Sequence, residues 1–234
     1  MNNEIVKLYF MRHGQTIINK ANRVQGWCDG VLTEEGLKIA ELTAKGLRDI
    51  EFKAVYSSDL GRASKTAKIV INANRASKNI KLKEMSELRE MCFGKYEGEL
   101  EAVFAKDLMT YLKVSSFKEA MEKYPDFGRA FADTCAALDD TGIAENYESL
   151  IRRIKSGIDK IIEEVLELGG GNVLIVVHGG MLMNLLNFID ENLDINFIEN
   201  SSISLVEYEN KKYKIISVSD MSYKIAGEKI EAIN

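Results

Sequence analysis

The 234-residue chain is sparing with the residues that define several protein classes: it has three cysteines, two histidines, one tryptophan and one proline. Cys28, Cys92 and Cys135 form an odd, widely spaced set with no C-x-x-C, which argues against a disulfide framework and reads as free thiols of a reducing compartment. No stretch approaches the ~18 apolar residues that a membrane-spanning helix needs. Lys7 interrupts Ile5-Val6 and Leu8-Tyr9-Phe10 before the apolar core of a signal peptide can form, so a cytoplasmic location is expected. A basic excess is also missing. The net charge of -5 excludes a general nucleic-acid binder and fits a small anionic ligand met by a few concentrated arginines. There is no G-x-x-x-x-G-K-[ST] for a kinase half, no G-x-S-x-G for a serine hydrolase, and no repeat or linker. With 46% hydrophobic and 29% charged residues, the length suits one domain with a sizeable core.

What is present is an alternation of strand-like and helix-like segments. Ile5–Met11 is a near-continuous apolar run broken by one lysine, as in a strand covered on both faces. Thr33–Arg48 carries Leu37, Ala40, Ala44 and Leu47 at helical spacing, with Thr33 as N-cap. Lys53–Ser57 and Ile80–Met85 read as short strands around a helix from Asp59 to Asn74. Tyr147–Leu168 is a long amphipathic helix stopped by Gly169-Gly170-Gly171, followed by a buried strand at Val173–Val177 and a helix from Gly180 to Phe188. Ser202–Tyr208 and Tyr213–Val218, joined through Asn210-Lys211-Lys212, read as a closing hairpin. The alternation predicts a three-layer α/β sandwich, a mostly parallel sheet flanked by helices. Glu99 to about Asn146 breaks the rhythm, holds Pro125 and lacks a strand, so it is expected to be a helical cap over the sheet edge, inserted into a single domain.

Both histidines, His13 and His178, fall where a buried strand opens into a glycine turn. Two such placements predict a site at the carboxyl edge of one sheet, where open α/β sheets bind ligands, and Arg12 beside His13 suggests an anion. The surrounding residues form an ordered series of blocks: Arg12-His13-Gly14-Gln15-Thr16 with Asn19; Gln25-Gly26-Trp27-Cys28-Asp29 with Leu32-Thr33-Glu34-Glu35-Gly36; Ser57-Ser58-Asp59-Leu60-Gly61-Arg62-Ala63; Leu88-Arg89-Glu90 through Gly94, Tyr96, Glu97 and Gly98; Tyr147-Glu148-Ser149; His178-Gly179-Gly180; and Asn200-Ser201-Ser202. This series resembles the signature of the histidine phosphatase superfamily, the phosphoglycerate-mutase-like group, from about residue 8 to residue 220 apart from the cap.

The residue chemistry agrees with what the resemblance implies. A neutral imidazole is a good nucleophile toward phosphorus, and a covalent intermediate splits one hard displacement into two easier ones, which suits His13. The transferring phosphoryl spreads charge over three oxygens and needs positioned donors. Arg12 and Arg62 supply bidentate forks, His178 a third donor expected to be protonated, and Asn19 with the backbone N–H of Gly179 would complete the anion site. Thr16 either contacts phosphate or caps the turn; the resemblance adds Gln25 and Gly26 to the substrate-binding set. Glu90 is the expected general acid, its rival being Glu87, with Glu97 also near. Trp27 reads as packing, and cationic side chains stand where a metal ion or other cofactor would otherwise be needed.

Two reactions compete: a histidine acid phosphatase-type phosphomonoesterase acting on a small phosphorylated metabolite, and a cofactor-dependent phosphoglycerate mutase. The mutases of this group carry Arg-His-Tyr where this chain has Met91-Cys92-Phe93, and a lysine near Glu99-Leu100-Glu101. They also hold an arginine pair in the cap, whereas Arg152-Arg153 lies beyond it on the long helix. These departures favour the phosphatase. A third reading, a catalytically inactive phospho-ligand binder, is disfavoured by the intact set of two histidines, two arginines and one glutamate.

Overall fold

The computed structural model describes residues 4–77, 79–193, 195 and 197–233. Strand β1 (Val6–Arg12) is followed by a one-turn helix α1 (Ile17–Lys20), helix α2 (Glu34–Gly46), β2 (Phe52–Ser58), α3 (Gly61–Ala73) and β3 (Leu82–Met85). Helices α4 (Glu101–Leu112), α5 (Phe117–Lys123) and α6 (Phe127–Leu138) come next, then α7 (Tyr147–Glu167), β4 (Gly171–Val177) and α8 (Gly179–Ile189). A hairpin of β5 (Ile203–Glu209) and β6 (Lys212–Asp220) precedes α9 (Ser222–Ile233). The six strands form one sheet in the order β3-β2-β4-β1-β5-β6. Strands β1 to β4 are mutually parallel, while β5 runs antiparallel to β1.

The central strands are apolar throughout because they feed two cores. On β1, Val6, Leu8 and Phe10 point into one apolar cluster and Tyr9 and Met11 into the other; on β4, Val173, Ile175 and Val177 alternate with Leu174 and Val176 in the same way. The first cluster is closed by α7, whose Leu150, Ile154, Ile158, Ile161 and Val165 are buried at helical spacing, and by Leu182 and Leu186 of α8. The second is closed by Ala44 of α2, Leu47, and Ala63, Ala67 and Val70 of α3. The result is the three-layer α/β sandwich that the alternation predicts. Helices α4 to α6 fill the segment between β3 and α7 and share the first core: Phe104 and Leu108 of α4 and Ala132 and Cys135 of α6 lie in the same cluster as α7 and α8.

Local signals fix most boundaries. The Thr33 hydroxyl accepts from Gly36 N at 2.9 Å, and the Asn146 side chain caps α7 by accepting from Ser149 N at 2.9 Å. The hairpin turn places Asn210 and Lys211 at φ of 52° and 62°, the sign a two-residue turn needs to match strand twist. Helix α3 starts at Gly61, two residues later than expected, because Ser58, Asp59 and Leu60 form the turn, where the Ser58 hydroxyl accepts from Leu60 N. β3 starts at Leu82, two residues later than Ile80.

One helix escapes the sequence reading. α9 buries only Gly227 among its residues, so it carries no apolar stripe to recognise. It docks on α2 by close backbone approach instead. A Cβ on Gly227 would lie 1.8 Å from the Leu42 carbonyl oxygen, and one on Gly46 would lie 2.0 Å from that of Tyr223. Gly227→Ala is therefore expected to force α9 away from α2. Overpacking of about 1–3 kcal/mol, at roughly 2–4 °C per kcal/mol in a chain of this size, gives a melting temperature lower by several degrees. Thermal unfolding checks this; a variant as stable as the parent would mean that the two helices do not meet this way.

Candidate active site

The carboxyl ends of β1, β2 and β4 bring the two histidines and both arginines together. His13 follows β1, and its backbone N–H donates to Val177 O at 2.9 Å, extending the β1–β4 ladder by one residue. Asn200 Nδ2 holds the His13 carbonyl at 2.9 Å. The imidazole is buried, and Nδ1 lies 2.8 Å from the Gly14 carbonyl oxygen. A carbonyl only accepts, so Nδ1 carries the proton and Nε2 presents a lone pair. Arg62 Nε donates to that nitrogen at 3.2 Å. Burial, with Arg62 and Arg12 nearby, holds the His13 pKa well below the usual imidazole value.

Arg62, in the first turn of α3, is only 1% exposed and spends every guanidinium nitrogen. Besides His13 it donates through Nη1 to Cys28 O (2.9 Å) and Asp29 Oδ1 (3.0 Å), and through Nη2 to Gly26 O (2.7 Å). The 26–28 loop that supplies those acceptors hangs on one carboxylate, Glu97, which accepts from the backbone N–H groups of Gly26, Trp27, Cys28 and Phe93. Gly26 admits no side chain there, since a Cβ would fall 2.2 Å from Met91 O. Thr16 resolves as a cap: its hydroxyl accepts from Asn19 N and donates to Gln25 Oε1 at 2.6 Å, while Asn19 Oδ1 accepts from Thr16 N. Thr16, Asn19, Gln25 and Gly26 thus form one braced loop beside His13.

Arg12 and His178 complete the cluster. The Arg12 guanidinium lies over the Phe197 ring, 5.0 Å from its centroid, and donates to Ile198 O. A Cβ on Gly179 would sit 3.1 Å from Arg12 Nε, so the Arg12 side chain packs tightly against the residue after His178. His178 is the N-cap of α8, fully buried, its ring centroid 5.1 Å from that of His13. Burial and the charge of Arg62 keep it far below the usual imidazole pKa, which corrects the expectation of a protonated His178. In its neutral form it still offers one N–H donor. Three buried nitrogens here, Arg12 Nε and both ring nitrogens of His178, have no hydrogen-bond partner among the described residues, and neither does Gln25 Nε2 in the braced loop. Unsatisfied buried donors are costly, and a cluster of them marks where an anion gains most.

Glu90 faces this cluster from the loop after β3. It is 6% exposed; Oε2 accepts from Gly180 N (2.8 Å) and Oε1 from Met181 N (2.6 Å) and Met91 N (2.9 Å). Burial raises its pKa above the usual carboxylate value against the pull of these donors and of Arg62. Glu87 points elsewhere: Lys160 Nζ binds its carboxylate at 2.5 Å and lowers its pKa. The structure also brings in residues that sequence reasoning assigned to packing or passed over. The Trp27 indole N–H donates to Glu90 O at 2.9 Å, Arg89 pairs with Asp59 above the Trp27 ring, and Arg153 reaches the main chain around Glu90. Among the described residues no group of three or more His, Cys, Asp or Glu side chains could hold a metal ion, and no helix is long and apolar enough to cross a membrane.

A neutral imidazole with its lone pair against one buried arginine, a second arginine beside it and a buried carboxyl opposite form a cluster whose cations and donors are chemically suited to an anion. Residues 8–221 match the model of the histidine phosphatase superfamily, branch 1. The chain belongs to that superfamily. A metal-independent phosphoserine phosphatase of Arabidopsis thaliana is 29% identical over 224 residues, covering 94% of this chain and 84% of that protein. A 2,3-bisphosphoglycerate-dependent phosphoglycerate mutase of Methanococcus vannielii is 27% identical over 211 residues, covering 80% and 82%. Among solved structures, a phosphoglycerate mutase from Bacillus anthracis str. Sterne superposes with a TM-score of 0.91 at 39% identity, covering 97% of this chain and 98% of that one.

The buried histidines make stability depend on pH. A group whose pKa is lower folded than unfolded contributes stability that is complete above its unfolded value, ~6.5 for histidine, and is lost as pH falls toward the folded value. Glu90, raised on folding, acts in the opposite sense. The melting temperature of the ligand-free protein is therefore expected to fall between pH 7.5 and 5, and to fall less steeply in His178→Asn. Equal slopes for the two proteins would show that His178 is not held neutral by burial.

Proposed function

We propose that the chain is a phosphomonoester hydrolase that works through a phosphohistidine on His13. The observation that carries this reading is the fixed tautomer: Nδ1–H is committed to Gly14 O, leaving the Nε2 lone pair facing the buried Arg62 guanidinium. In the first step Nε2 attacks phosphorus, the P–N bond forms as the P–O ester bond breaks, and the Glu90 carboxyl gives its proton to the leaving alkoxide. In the second, the Glu90 carboxylate takes a proton from water as the water oxygen attacks phosphorus. The P–N bond breaks and phosphate leaves. Arg12, His178, Asn19 and the Gly179 N–H hold the equatorial oxygens, and Arg62 joins them as its Nε–H passes from His13 Nε2 to a phosphoryl oxygen. Thr16, Gln25 and Gly26 keep the loop in place. The raised pKa of Glu90 retains the proton the first step needs.

Relatives of this chain carry both phosphatase and mutase names, so the choice rests on residues. A phosphoglycerate needs its carboxylate gripped. The adjacent arginines are otherwise engaged: Arg152 pairs with Glu148 on the surface of α7, and Arg153 pairs with Glu145. Glu101 occupies the region where the mutases have lysine, and its negative charge acts on Arg12, whose pKa burial nevertheless holds below the usual guanidinium value. Phe93 stacks edge-on with Phe104 and Phe131 of the cap, giving the neighbourhood of Glu90 an apolar wall. An acidic and apolar surround favours hydrolysis of an ester whose alcohol carries no carboxylate in that place.

Interconversion of 3- and 2-phosphoglycerate, assayed with added bisphosphoglycerate, is thus expected to be negligible beside hydrolysis of some member of a phosphate monoester panel. Mutase turnover at ordinary enzyme rates would reverse the choice. Glu90→Gln is expected to slow alkyl phosphate hydrolysis by ~10²–10⁴-fold while costing an activated aryl phosphate much less, because only the former needs the proton. Glu87→Gln should change neither substrate. A leaving-group-dependent loss in Glu87→Gln alone would move the acid to that residue, and loss of covalent labelling in His178→Ala but not in His13→Ala would exchange the histidines.

A further inference from the structure

The segment carrying Glu90 has no ladder to hold it. Between the end of β3 and Gly94 the chain makes one 3₁₀ turn, Ser86–Leu88, and is otherwise irregular, so its carbonyl groups need partners from elsewhere. A single guanidinium serves three of them. Arg153 Nη1 donates to Glu87 O (3.0 Å) and Arg89 O (2.9 Å), and Nη2 donates to Glu90 O (3.1 Å). The same guanidinium is oriented by a bidentate pair with Glu145, Nε to Oε1 at 2.7 Å and Nη2 to Oε2 at 2.6 Å. Glu145 grips the segment as well: its Oε2 accepts from Cys92 N at 3.0 Å, and its own N–H donates to Cys92 O at 3.0 Å. Both side chains are mostly buried, 17% and 12% exposed.

From the opposite side comes the Trp27 indole N–H, 2.9 Å from the same Glu90 carbonyl. Both lone pairs of that oxygen are therefore taken, one by α7 and one by the loop that binds Arg62. The main chain of Glu90 is fixed from two directions, while its carboxyl rests on Gly180 and Met181 N–H at the start of α8. Arg153 and Trp27 act on the carbonyl, whereas the donors to the carboxyl among the described residues are the N–H groups of Met91, Gly180 and Met181. The apolar packing of α7 runs through Leu150, Ile154, Ile158 and Ile161 and does not use Arg153. Misplacing a catalytic group by ~1 Å can cost ~10²-fold.

We infer that Arg153 is a positioning residue for proton transfer: oriented by Glu145 and opposed by Trp27, it sets the main chain of Glu90 so that the carboxyl meets the leaving oxygen. The inference rests on the reading of Glu90 as general acid. Because Glu145 lies where the chain returns from the cap helices, the clamp also ties the acid to the end of that insertion.

The test compares kcat and KM for an alkyl phosphate and for p-nitrophenyl phosphate in Arg153→Lys, Glu145→Gln and Trp27→Phe, with Glu90→Gln as reference. Lysine keeps the charge but cannot fork to three carbonyls and a carboxylate. Arg153→Lys and Glu145→Gln are each expected to lower kcat for the alkyl ester about tenfold or more, with p-nitrophenyl phosphate changed less than about threefold and KM little moved. Trp27→Phe should cost less on the Arg153→Lys background than in the parent, since both act on one carbonyl. Equal losses on both substrates, or no loss, would reduce Arg153 to a structural brace and overturn the inference while leaving Glu90 untouched. Should Glu90→Gln itself show no dependence on the leaving group, the acid reading fails and the inference with it. Glu145→Gln leaves the Arg153 guanidinium in place, so the comparison survives a poorly folded Arg153 variant.

Discussion

A guanidinium buried to 1% exposure has to be satisfied completely or not buried at all, and Arg62 imposes that condition on everything around it. Its acceptors are backbone carbonyls of Gly26 and Cys28, the Asp29 carboxylate and the imidazole of His13. Carbonyls can serve only if their loop is rigid, which is the service of Glu97 and of the Thr16–Gln25 bond. The imidazole can serve only with its lone pair on Nε2, which the Gly14 carbonyl enforces from the other side. One buried charge therefore dictates a loop conformation, a tautomer and the start of α3. The link is reinforced where the Thr66 hydroxyl, one turn along α3, accepts from Gly14 N at 3.0 Å while donating to Arg62 O.

The electrostatic character of the site follows from the same burial. Burial, with Arg12 and Arg62 adjacent, disfavours the protonated form of both histidines, so positive charge is concentrated on the two arginines. On the reading proposed for His13, a neutral imidazole beside fixed cations is suited to an anionic electrophile: attraction is kept and the lone pair is not spent on a proton. Glu90 is arranged in the opposite way. Its burial favours the proton, and the N-terminal amides of α8 limit how far that preference goes.

Much of this was legible in the sequence because the signals were local. Apolar runs such as Val173–Val177 belong to strands covered on both faces, Thr33 caps a helix, and histidines beside glycines lie at strand ends. The side chains expected at the site, Arg12, His13, Arg62, Glu90 and His178, converge there. What could not be read were properties made by tertiary contact. The charge of His178 depends on desolvation by neighbours far away in the chain. Trp27 read as packing because an indole N–H gives no hint of its acceptor. Arg153 was visible as half of an arginine pair, but its targets are main-chain carbonyls, which carry no sequence signature. α9 was invisible because it docks through glycine rather than through an apolar stripe.

The order of strands in the sheet has a consequence for how the molecule comes into being. β4, at residues 171–177, lies between β1 and β2, so the first two strands of the chain are not neighbours and have a gap to be filled by a segment made much later. Until it arrives, His13 lacks the Val177 carbonyl that anchors its backbone, and His178 and α8 do not yet exist. During synthesis β2 has β3 as a nearby partner, but β1 must wait for β4 and β5, which are distant in sequence, a slow, non-local closure. Assembly of the site is thereby postponed until about three-quarters of the chain has been made, and a truncated product would hold Arg12, His13 and Arg62 without the strand that brings them into register.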